Sequence, residues 1–143
     1  MSYLSQKPIG NDYRSVKIYR CLSYPNKEQT ICYVINGWPN DGQSRTNRSK
    51  LTECERPSET IYLADNEDGS WRTIIKNASE RDTTRCDVFE SAHLPKSDSE
   101  GITGGRRVAR ARHRNGCNIL YLAGHADFME YTVMTEEMWK FKK

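Results

Sequence analysis

The clearest pattern of apolar and polar positions runs from Arg112 to Met129, where two strand-like stretches meet at the small pair Ala123-Gly124. A two-residue turn there predicts Tyr121 opposite Ala126 and Ile119 opposite Phe128 on an apolar face. Leu122/His125 and Leu120/Asp127 would then share a more mixed face. The reading predicts a hairpin with one buried side, Ile119, Tyr121 and Phe128 contributing to the core. Ala123 is unusual at the first position of such a turn, which favours Asn, Asp or Gly, whereas Gly124 accepts positive φ without steric cost.

Elsewhere, short runs rich in Val, Ile and Tyr predict strands over Val16–Cys21 and Thr30–Ile35, joined by a turn at Tyr24-Pro25-Asn26-Lys27. Residues 37–50 carry turn-forming residues with Trp38 as the one large apolar side chain, and read as a surface loop. Thr60–Ala64 predicts another strand, Asp65–Ser70 a turn, and Trp71–Ile75 a further strand. The polar, glycine-bearing stretch Ser91–Gly105 reads as a second loop. Thr135 is placed to cap a short helix, with Glu136 and Glu137 at its positive end and Lys140, Lys142 and Lys143 at its negative end.

Together these elements predict one α+β domain over residues 1–143, an antiparallel β-sheet with little helix. At 143 residues, 36% hydrophobic and 29% charged, the chain has enough length for a modest core. No run approaches the ~18 apolar residues of a membrane span. Met1–Asp12 lacks the basic-then-apolar order of a secretory leader.

Five cysteines, Cys21, Cys32, Cys54, Cys86 and Cys117, stand far apart with no CxxC pair. That spacing predicts no zinc site, and leaves open either two disulfides with one thiol or free thiols packed as small hydrophobes. Among the histidines, His113 and His125 flank the hairpin and His93 sits in a loop. No nucleophile or third ligand lies near in sequence, so no catalytic, cofactor-binding or metal-ligating residue is assigned, and His113 and His125 are expected to fix the strand ends and turn. Asp65-Asn66-Glu67-Asp68-Gly69-Ser70 has carboxylates around a glycine but not the spacing of a calcium-binding EF-hand, and reads as a solvated acidic turn. Arg106, Arg107, Arg110, Arg112 and Arg114 form the densest charge cluster. With a net charge of only +3, they read as an exposed strand whose charge discourages edge pairing. The alternative is a basic module that binds nucleic acid or another polyanion.

Four segments together resemble one family. His113, nine residues, then a small residue and Gly124-His125 resembles the carboxy-terminal His, nine residues, Asp-Gly signature of pseudopilin-like proteins in the prepilin-type cleavage/methylation group. Tyr19-Arg20-Cys21-Leu22-Ser23 is similar to that family's Cys-Pro-Ser segment, with Leu22 where the family has Pro. Tyr33-Val34-Ile35-Asn36-Gly37 is similar to its Tyr-x-x-Asn strand. Arg56-Pro57-Ser58-Glu59-Thr60-Ile61-Tyr62-Leu63-Ala64-Asp65 is similar to its Pro-Ser-Glu-Thr strand ending in Ala-Asp.

The resemblance implies a pilin-like soluble domain and a non-enzymatic subunit of a type II secretion-like pseudopilus or type IV pilin-like filament. It also implies other pilin-like subunits or secretion components as partners, and a place in the periplasm or cell envelope. Members of the family carry a leader and a long apolar amino-terminal helix. The chain is expected to begin after that region, leaving part of the sheet's apolar face exposed.

Overall fold

In the computed structural model, the described residues are 9, 15–25, 27, 32–36, 50–67, 94 and 108–142. Four strands form one antiparallel sheet in chain order: β1 (Tyr33–Ile35), β2 (Ile61–Asp65), β3 (Gly116–Tyr121) and β4 (Ala126–Glu130). Helical structure among these residues is limited to short 3₁₀ turns at Lys17–Tyr19, Leu51–Glu53 and Glu136–Trp139. None of it is long and apolar enough to cross a membrane.

Lateral pairing places Val34 against Ala64 and Ala64 against Ile119, building a buried row across the sheet. Between Ile61 and Leu63 the β2–β3 register slips, because β2 carries one more residue than its partner at this point. This bulge explains how Ile61 and Ala64, three residues apart, both join the core, whereas an unbroken period of two would put them on opposite faces. Tyr62 is turned outward.

The apolar face is not left open. Val34, Ile61, Ala64, Cys117 and Ile119 cluster with Val108, Ala109, Met134 and Trp139, every one of them at most 2% exposed. Trp139 and Met134 come from the carboxy-terminal segment, which folds back over the sheet. This corrects the expectation of an exposed apolar face. Asn36, just after β1, ties the segment down by donating from its amide nitrogen to the carbonyls of Ile61 at 2.7 Å and Trp139 at 2.8 Å.

The hairpin occurs where the pattern predicts it, but with a register one residue different. Leu120 faces Ala126, Ile119 faces Asp127, and Asn118 faces Phe128. Tyr121 N–H donates to His125 O and Gly124 N–H to Tyr121 O, both at 2.9 Å, so the turn contains Leu122, Ala123 and Gly124. Within this turn only Gly124 has positive φ, at 92°, as in a three-residue hairpin that ends in a left-handed glycine. Ala123 therefore escapes the conformation it would resist. A one-residue slip sends alternate side chains to the other face. Phe128 is accordingly 41% exposed rather than part of the core, whereas Ile119 is buried and Tyr121 half-buried. The Phe128 ring instead lies over Gly116, where a Cβ would stand 2.8 Å from its Cζ and 2.1 Å from the Met129 carbonyl oxygen.

Other expectations divide. β1 and β2 occupy parts of the strands expected over Thr30–Ile35 and Thr60–Ala64. Val16–Cys21 is not a strand: Lys17–Tyr19 is a 3₁₀ turn, and the turn that follows closes through Tyr24 N–H to Cys21 O at 3.0 Å. Among the described residues no strand pairs with this β-prone run, and it turns on itself while Val16 is buried. Glu136–Trp139 follows Thr135 as expected, but Thr135 makes no side-chain cap bond. Trp71–Ile75, Asp68–Ser70, most of the two expected loops, His93, Cys86, Arg106 and Arg107 lie outside the described residues.

Candidate functional site

Asp65 ends β2, and its backbone is engaged on both sides: its carbonyl accepts from Ala109 N–H at 2.8 Å, and Asn66 N–H next along donates to Cys32 O at 2.9 Å. Alternation turns the Asp65 side chain away from its neighbour Ala64. Its Oδ2 accepts from Asn118 N–H at 2.7 Å, so the carboxylate extends the β2–β3 connection beyond the last backbone pair. Asp65 is 1% exposed, and among the described residues its Oδ1 has no hydrogen-bond partner. Burial raises its pKa, opposed by the Asn118 N–H and the nearby His113 and Arg112.

His113 reaches this carboxylate from a tight turn before β3. Its N–H donates to Gly116 O at 3.0 Å and Gly116 N–H donates back at 3.3 Å. The intervening Arg114 has φ of 61°, an uncommon conformation for a side chain of that size. His113 Nε2 lies 3.3 Å from Asp65 Oδ2 and 3.6 Å from Cys21 Sγ. Cys21 arrives on the segment after the 3₁₀ turn at Lys17–Tyr19. The Cys21, Asp65 and His113 ligand atoms all fall within 4.8 Å of one another.

Around this cluster, Arg112 stacks on Tyr24 at 4.2 Å and donates to Asn66 O at 2.6 Å. Burial pushes the Tyr33 hydroxyl up to about 12, with added repulsion from the charges of Asp65, Cys21 and Cys32. Burial likewise raises the Cys32 thiol. A pocket of about 370 Å³ opens beside the cluster, with Cys21, Cys32 and Tyr24 in its wall. Cys21, Cys32, Cys54 and Cys117 are free thiols.

The arrangement is not a nucleophilic relay. In a Cys-His-Asp relay the base meets the nucleophile through one ring nitrogen and the carboxylate through the other. Here both neighbours share Nε2. Three different donor types converge on a small volume instead, an arrangement suited to ligating a cation.

His125 follows a different course. Its ring stacks on Tyr121 with centroids 4.4 Å apart, beside a second pocket of about 410 Å³ that also meets Glu59, Asp127 and Glu137. Those carboxylates have local partners: Glu59 pairs with Arg56 at 2.7 Å, Glu137 with Lys140 at 2.6 Å, and Asp127 accepts from Phe128 N–H at 2.7 Å. The arginines also differ from expectation. Arg110 and Arg112 lie in an irregular segment, not a strand. Arg110 stacks on Tyr131 at 4.4 Å and donates to its hydroxyl at 3.3 Å. Asp65 is no solvated turn residue, since it is buried at the end of β2.

Cys21 and Asp65 escaped the reading based on short spacing because 44 and 48 residues separate the three members of the cluster. One signal was available. Each of three family-like segments supplies one of them: Cys21 from the first, Asp65 from the end of the third, His113 from the start of the fourth. Compared with models of known protein families, with curated proteins and with solved structures, the chain matches none.

Proposed function

We propose that the chain is the soluble domain of a pseudopilin-like filament subunit, a non-enzymatic component of a cell-envelope assembly related to type II secretion pseudopili or type IV pilin-like filaments. One observation carries the reading: the four family-like segments, scattered over the sequence, are joined to one another in a single structural unit. The hairpin turn meets the Pro-Ser-Glu-Thr segment through Leu122 N–H to Thr60 O and Ala123 N–H to Pro57 O, both at 2.9 Å. Asn36 of the Tyr-x-x-Asn segment donates to Ile61 O. Cys21 meets His113, and His113 meets Asp65. These contacts between segments far apart in the chain support the resemblance, since agreement between local pattern and tertiary contact is expected of residues that act together.

In this reading the partners are other pilin-like subunits. Trp139 and Met134 already cover much of the sheet's core face, so an amino-terminal helix would join a preformed domain. The test is fusion of a pilin-type apolar amino-terminal helix, followed by electron microscopy for filaments. Filaments are expected from the fusion, with the chain alone monomeric or weakly associated. A fusion that stays dispersed, or an isolated domain that binds nucleic acid tightly at physiological salt, overturns the reading.

A further inference from the structure

We propose that Cys21, Asp65 and His113 form a zinc-class metal site with three protein ligands and a fourth position open to solvent. The inference is independent of the filament reading. Ligand atoms held about 2.0–2.3 Å from a tetrahedral zinc stand roughly 3.3–3.6 Å from each other. His113 Nε2 is 3.3 Å from Asp65 Oδ2 and 3.6 Å from Cys21 Sγ, so two edges of such a tetrahedron already exist. The third edge, between sulfur and oxygen, lies within the 4.8 Å span of the cluster.

A second observation points to a cation. Asp65 is buried, yet among the described residues its Oδ1 has no hydrogen-bond partner, and a buried carboxylate oxygen left in this way is costly. A divalent ion held through Oδ2, the oxygen that faces His113, would neutralise the buried carboxylate and so offset the cost of its burial. It would also explain why a thiol and a carboxylate both lie against one imidazole nitrogen. Arg112 adds positive charge nearby, but its guanidinium is held on Tyr24 and by Asn66 O.

The donor set selects the ion. Sulfur and imidazole with a single carboxylate favour zinc and its neighbours over calcium or magnesium, which take oxygen-rich sites. His113 is fixed in advance by its two backbone bonds with Gly116, and Asp65 by Asn118 N–H. Ligands held in this way lose little freedom on binding. Cys21 and the side chain of His113 are partly exposed, giving an ion and one water access.

The experiment titrates the full chain, kept reduced with a non-thiol phosphine, with cobalt(II) and then zinc(II). The expected result is a thiolate-to-cobalt charge-transfer band with tetrahedral visible bands, both removed by stoichiometric zinc. Binding releases the thiol proton, so affinity should fall as pH is lowered. Cys21→Ser should abolish the charge-transfer band and weaken zinc binding by roughly a hundredfold or more, since even residues behind the ligands change affinity by about 10–100-fold. His113→Gln should weaken zinc binding similarly, while Cys32→Ala should keep the band. Circular dichroism of the metal-free variants shows that each is folded. Absence of the band in the parent chain, its survival in Cys21→Ser, or its loss in Cys32→Ala with Cys21 intact overturns the site.

Discussion

The two strands of the hairpin are similar in length and joined by the four residues Leu122, Ala123, Gly124 and His125, yet they have opposite surroundings. β3 lies between β2 and β4, and Gly116, Cys117 and Ile119 along it are buried. Among the described residues β4 has β3 as its one neighbour in the sheet, and Met129 alone within it is even half-buried. Apolar character does not separate them, for Phe128 on β4 is larger and more hydrophobic than Cys117 on β3. Position in the sheet and register do: β3 has strands on both edges and Met134 and Trp139 in the cluster it helps form, whereas the slipped register aims Phe128 at the opposite face.

The strongest way to break this contrast is truncation on β3. Ile119→Ala should cost about 2–5 kcal/mol, because Ile119 is 2% exposed and its loss leaves a cavity beneath Trp139 and Ala64's row. Chemical denaturation measures it, and a cost below that of any β4 truncation would reverse the comparison.

A second test uses the thiol in the same strand. Burial, with repulsion from Asp65, pushes Cys117 from 9.0 up to about 12. The folded chain therefore keeps a proton that the unfolded chain releases above pH 9. The associated stability is fully present below pH 9 and is lost as pH rises toward 12. The denaturation midpoint should fall across that window, Tyr33 adding to the fall from pH 10 upward. Cys117→Ala should make the fall shallower; an equal slope in the variant would show that β3 is less dry than its burial implies.

On β4, Phe128→Ala should cost only about 1 kcal/mol, since the ring is 41% exposed and lies on the outer face above Gly116. A loss near that of Ile119→Ala would mean that the hairpin takes the two-residue turn in solution. Smallest of all, Ala123→Asp should change stability by no more than about 0.5 kcal/mol, because Ala123 is exposed and its backbone keeps negative φ. A larger loss would show that the contact of Ala123 N–H with Pro57 O depends on the small side chain.

Local pattern was sufficient to place β2, the hairpin and the short carboxy-terminal helix, because apolar alternation and turn residues act over a few positions. It also indicated an antiparallel sheet with little helix. Those features depend on near neighbours in the chain and are legible there. The hairpin register was not, since Ala123-Gly124 suits a two-residue turn and a three-residue one alike, and the choice is made by where Leu122 and Ala123 bond to the Thr60 and Pro57 carbonyls. Burial of the apolar face depended on Trp139 folding back under the hold of Asn36 more than a hundred positions earlier. The meeting of Cys21, Asp65 and His113 likewise belongs to tertiary structure. Residue type made each of them a candidate ligand, but the β2 bulge, the end of the β2–β3 ladder and the His113–Gly116 turn brought them within reach of one ion, and chain spacing carries no information about such distances.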